Sequence, residues 1–131
     1  NGVALVGTEF LANGDTTAYH RQWVDRLRRA YKAGVLLVYG TDAIHYKPGV
    51  TRGQDAMTGI DPWVEAGVPA PAILRAMTTN GTRLLGVDDV RGTLKVGQYA
   101  DLIATPDNPL TNIQTLRQVS FVMKNGKVVE R

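Results

Sequence analysis

The chain has 131 residues, 44% of them hydrophobic and 21% charged, with a formal net charge of +3. This suits one ordinary globular domain with its own core, rather than a disordered or fibrous protein. Having no cysteine excludes disulfides and thiolate metal sites but leaves the compartment open, and no apolar run is long enough to cross a membrane.

No signal peptide is visible, and the opening Asn1 leaves room for residues upstream. The short apolar run Val3–Val6, bounded by Gly2 and Gly7, reads as a buried strand with Thr8 and Glu9 at its polar end. Asn13-Gly14-Asp15 is a turn, and Asp15 is placed to cap the helix that follows. From Thr16 to Ala33, Tyr19, Trp23, Leu27, Ala30 and Tyr31 recur at three- and four-residue spacing, giving one apolar helix face that ends at Gly34. Arg26, Arg28, Arg29 and Lys32 are the densest basic group. With no interleaved aromatics or recognition motif they read as a solvated face, so nucleic acid is not an expected partner.

Val35–Tyr39 is a second buried strand, and the strand–helix–strand order makes the two strands parallel. Gly40 and Thr41 lead from it to Asp42. A carboxylate just past the end of a buried parallel strand stands where α/β proteins, barrels above all, keep their chemistry. The alternative for Asp42 is a helix-capping or loop-bonding aspartate.

Ile44 to Ile60 reads as a long loop with Pro48 and three glycines, a length usually associated with function. Within it, His45 is a candidate for lining a pocket or binding metal, a solvated histidine being the alternative. Tyr46 and Lys47 are candidates for contacting a substrate carboxylate or amide, although solvation is the better reading for Lys47. Asp61-Pro62 then starts a short helix that ends at Gly67. Pro71 opens another, with Ile73, Leu74 and Met77 on one face, interrupted at Asn80-Gly81 before a further turn over Thr82–Leu85. Trp63 and Met77 read as core, and His20 as a surface or packing histidine.

From Gly92 the character turns to β. Thr93-Leu94-Lys95, Ala100–Thr105 and Val119–Lys124 are strand candidates, and Asn125-Gly126 before Lys127-Val128-Val129 is the strongest hairpin signal. Leu116 reads as a packing residue of a turn or short helix around Asn112–Arg117. Asp101 reads as a structural carboxylate bonding turn amides. The expected division is an α/β part over 1–88 and β tail strands over 89–131.

Three stretches in this order, AGVLLVYGTDA (33–43), EAGVPAPAILRAMTTNGTRLLGV (65–87) and GTLKVGQYADLIATPDNPL (92–110) with VSFVMKNGKVV (119–129), resemble the C-terminal end of the metal-dependent amidohydrolase superfamily. The tail is most similar to the branch of imidazolonepropionase-like proteins and metal-dependent prolidase or carboxypeptidase homologues. The resemblance implies an α/β fold: the last two strand–helix units of a TIM-type (β/α)8 barrel plus part of a small β-sandwich. It implies hydrolysis of a C–N bond in an amide, cyclic amide or dipeptide through metal-activated water, with Asp42 as metal-site carboxylate and general base. The expected cofactor is a divalent metal, zinc by preference, with one or two ions in the complete enzyme. Asn80-Gly81-Thr82 departs from the Asn-Ala-Ala-like stretch usual in the branch.

The family's other ligands, a His-x-His pair, a bridging lysine or glutamate and further histidines, have no counterpart here, where the histidines are His20 and His45. The expected partners are therefore a small amide or peptide substrate and the missing barrel segment, with no membrane. The rival reading is a non-catalytic fragment or interaction module that forms a homo-oligomer through its open sheet edge.

Overall fold

The computed structural model describes residues 3–5, 16–41 and 48–129. Strands β1 (Val3–Leu5) and β2 (Leu36–Val38) pair in parallel, with Val3 opposite Leu36 and Leu5 opposite Val38. The crossover between them contains helix α1 (Thr16–Lys32). Val6 and Asp15 lie outside the described residues. On α1, Leu27 and Val24 are the buried positions, while Tyr31, expected on the apolar face, is exposed. Arg29 pairs with Asp25 one turn earlier at 2.9 Å, on the solvated face the basic residues were expected to make. The helix ends in a Schellman motif: Gly34 takes φ +70°, its amide bonds Tyr31 O, and the Val35 amide reaches back to Ala30 O at 3.1 Å. Beyond it, Leu37 is buried and its two strand neighbours are half-buried.

The stretch expected to be a loop from Ile44 to Ile60 contains a helix, α2 (Arg52–Thr58). Thr51 and Gln54 form a capping box. The Gln54 amide donates to Thr51 Oγ1 at 3.2 Å, and the Thr51 amide donates to Gln54 Oε1 at 2.8 Å. Helix α3 (Ile60–Glu65) follows, with Gly59 as cap and Asp61 in the first turn rather than at the cap position. Ile60, Trp63, Ala66 and Val68 are buried, so Trp63 is the core residue it was expected to be.

The chain divides into two compact units, Asn1–Pro69 and Ala70–Arg131. The second begins with helices α4 (Ala70–Met77) and α5 (Thr79–Leu85). Asn80-Gly81 does not interrupt the helical run. The break falls at Thr78 (φ −127°, ψ −94°), whose hydroxyl and amide turn back to Leu74 O and Arg75 O, and α5 starts ahead of the glycine. On α4 the buried residues are Ala72, Ile73 and Ala76, while Leu74 and Met77 are half-buried. Thr93-Leu94-Lys95 is not a strand: Gln98 Oε1 accepts from the Thr93 amide and hydroxyl, folding the stretch locally, and Leu94 is 81% exposed. The sheet consists of β3 (Leu102–Ala104), β4 (Phe121–Lys124) and β5 (Lys127–Val128), in order β3-β4-β5 and antiparallel. A 3-10 helix over Ile113–Gln118 buries Ile113, Thr115 and Leu116.

Asn125 and Gly126 make the expected two-residue hairpin turn, both with positive φ (51° and 75°). Asp101, next to β3, holds this turn in place. Its Oδ1 accepts from the Asn125 amide at 2.7 Å, and its Oδ2 from Lys124 Nζ at 3.2 Å and from Arg91 Nη1. Arg91 also donates to Asn125 Oδ1 at 2.8 Å and lies 4.2 Å over the Tyr99 ring. The Asn125 amide above all, then Lys124 and Arg91, hold the Asp101 carboxyl below its ordinary value of 3.8, outweighing the opposing effect of burial.

Leu27→Ala removes a side chain with no exposed surface and is expected to cost about 2–5 kcal/mol, measured by urea unfolding. Asp101→Asn is expected to lower the thermal midpoint at neutral pH. A depressed carboxyl stabilises the fold above its unfolded-state pKa and loses that effect as pH falls through the folded one. The gap between variant and wild type should therefore persist to about pH 4 and close below it, as read in circular-dichroism melts.

Candidate functional site

Asp42, His45 and Tyr46, the three candidate site residues, lie outside the described residues, as do Thr8, Glu9 and Lys47. The structure gives the frame on either side of them. Before Asp42, β2 runs out through Tyr39, Gly40 and Thr41. After Tyr46, the chain resumes at Pro48-Gly49 and enters the capped start of α2.

Tyr39 links the two sides. Its hydroxyl donates to Ala56 O, near the end of α2, at 2.6 Å. Its ring lies 5.7 Å from that of Trp63 at an interplanar angle of 41°. The sequence pattern counts Tyr39 as a strand residue and gives no sign of this reach. The Thr51-x-x-Gln54 signature of α2, in contrast, is legible in the sequence.

His20 is committed elsewhere. It sits on α1, half-exposed, with Nε2 2.7 Å from Glu65 Oε2 and its ring edge-on to Trp23 at 6.5 Å. Arg28 adds a bond to Glu65 O at 3.1 Å, so the end of α3 is held by two side chains of α1. Both sides of the His20–Glu65 pair are well exposed, so solvent screening leaves it a small share of stability. Among the described residues, no group of three or more His, Asp or Glu stands together as a metal-binding cluster.

In the second unit, an open apolar groove of about 550 Å³ is lined by Met77, Thr82, Leu94, Ile103, Val122 and Met123. Asp101 borders it, already engaged by the hairpin turn, and no catalytic pairing of side chains is found there among the described residues.

Residues 13–129 match the amidohydrolase family. The chain belongs to that family. It is 34% identical over 104 residues to an ochratoxinase of Aspergillus niger, an alignment covering 76% of this chain and 20% of that protein. It is similar to the crystal structure of a Xaa-Pro dipeptidase with bound methionine, at TM-score 0.71 and 37% identity, covering 85% of this chain and 26% of the other. It is also similar to the structure of molinate hydrolase, at TM-score 0.74 and 29% identity, covering 82% of this chain and 26% of the other. The chain thus spans about a fifth to a quarter of the length of these relatives. Its βαβ first unit accords with the TIM-barrel-type α/β fold that these neighbours imply.

Proposed function

We propose that this chain forms part of a metal-dependent amidohydrolase that hydrolyses a C–N bond in an amide, cyclic amide or dipeptide. The observation that carries the reading is the parallel β1–β2 pair in a chain of this family, with Asp42 following β2 in the sequence. The carboxyl end of a parallel strand is where barrel enzymes keep their reacting groups. A similar structure called a Xaa-Pro dipeptidase supports a carbonyl–nitrogen bond as the target.

In this reading β1 and β2 are the last two strands of a (β/α)8 barrel, and β3, β4 and β5 belong to a β-sandwich tail. Asp42 is a metal-site carboxylate and general base, taking a proton from the attacking water and delivering it to the leaving nitrogen. His45 and Tyr46 line the substrate pocket. A divalent metal, zinc by preference, would be held in part by Asp42 and would supply Lewis acidity when bound.

By donor chemistry, this chain fits only part of such a site. Asp42 and His45 are two donors, His20 is engaged by Glu65, and zinc takes four ligands, three of them from protein in a catalytic site. The remaining donors come from the rest of a longer polypeptide or from another chain. A parallel pair has the same need. Parallel strands occur in sheets covered on both faces, and two strands among the described residues are too few for one.

In the full-length polypeptide, Asp42→Asn is expected to lower kcat for an Xaa–Pro dipeptide by about 10²- to 10⁴-fold with the fold intact. Undiminished turnover in that variant would sink the proposal. The 131-residue chain alone is expected to hydrolyse no dipeptide, with or without added zinc. An assay of the isolated chain, with its intact mass and oligomeric state, checks this.

A further inference from the structure

We infer that Tyr39 is a positioning residue for the carboxyl end of β2: its hydroxyl ties that end to α2 and so sets the place of Asp42. The inference rests on the role given to Asp42 in the proposed function. Tyr39 comes directly after β2, and its hydroxyl reaches 17 residues along the chain to Ala56 O, at 2.6 Å. The bond joins the residue after β2 to the last turn of α2. By sequence, the stretch between them carries Asp42, His45 and Tyr46.

Three observations make this a built contact. The first is that Ala56 O belongs to the last turn of α2, where carbonyls lack helical partners. Gly59 N also bonds it, at 3.4 Å, so the tyrosine makes the shorter bond. The second is that no residue of α2 is fully buried, Ala56 and Met57 being half-buried, so its own packing holds it only in part. The Tyr39 ring, in contrast, is seated on Trp63, which is only 3% exposed, and delivers the hydroxyl from a fixed base.

The third is Gly59. Its φ of −63° and ψ of −11° suit any residue, so the backbone does not require glycine. A Cβ there would lie 2.6 Å from the Tyr39 hydroxyl and 3.3 Å from its Cζ. The Tyr39 hydroxyl occupies the space a side chain at position 59 would need.

The test uses the full-length polypeptide with Xaa–Pro dipeptide as substrate and trypsin as a second probe. Tyr39→Phe keeps the ring and its contact with Trp63 but loses the hydroxyl. It is expected to lower kcat roughly 10- to 100-fold while leaving KM within about twofold. Cleavage after Arg52, in the first turn of α2, is expected to quicken roughly fivefold to tenfold. Gly59→Ala should bring both changes by displacing the hydroxyl, and should add less in the Tyr39→Phe background than on its own.

A Tyr39→Phe enzyme whose kcat stays within about twofold of wild type overturns the inference, whatever trypsin reports. If Asp42→Asn keeps full turnover, it is the assignment of Asp42 that fails, and the positioning role falls with it. The cleavage rate at Arg52 needs no activity and still reports whether the tie between Tyr39 and α2 exists.

Discussion

The parallel pairing of β1 with β2 is the constraint on which the first unit depends. Parallel strands cannot be joined by a tight turn, so the chain must cross over between Leu5 and Leu36, and α1 lies in that crossover. Once α1 exists, its buried stripe needs cover. Leu27 and Val24 supply the stripe, and Ile60, Trp63 and Val68 bury apolar surface in the same unit. The end of β2 is in turn tied to α2 and α3 through Tyr39, which bonds Ala56 O and packs on Trp63.

Much of this was legible in the sequence where a residue's chemistry acts on its near neighbours. The glycine after α1, the Asn-Gly hairpin, the apolar β2 and the short helix around Leu116 all follow from local backbone preference and hydrophobic period. Asp101 was legible as a carboxylate bonding a turn amide, although nothing in the sequence points to Arg91 and Lys124 as its further partners. The failures have two sources. At Thr93–Lys95, β-type composition yields to Gln98, whose side chain captures the Thr93 amide. At Arg52–Thr58, attention to glycine and proline hides a helix that the Thr51 and Gln54 capping box announces. The candidate site was legible only as a position, Asp42 beyond β2. The reach of Tyr39 is invisible to periodicity, because a tyrosine at a strand end reads as one more β residue.

Two polar side chains do comparable work in the two units. Tyr39 satisfies a carbonyl at a helix end, and Asp101 satisfies an amide in a hairpin turn. Each therefore bonds a backbone group at the end of an element, a helix carbonyl that otherwise has only the longer bond from Gly59 N and a turn amide. Each also acts across a long stretch of chain, so a single bond sets the relation between two elements. The chemistry differs: the tyrosine acts as a neutral donor from a packed ring, whereas the aspartate acts through charge. Acid therefore weakens the second tie and leaves the first untouched.

The order β3-β4-β5 has a consequence for how the second unit assembles. The hairpin of β4 and β5 joins neighbours across two residues and can close on its own, on the microsecond scale typical of hairpins. β3 pairs with β4 only across the whole stretch from Ala104 to Phe121, a costlier loop to close. During synthesis, β3 leaves the ribosome before β4, its neighbour in this sheet, has been made. Asp101 waits with it for the Asn125 amide, so the carboxylate that ties the turn is also among the last groups to find its place.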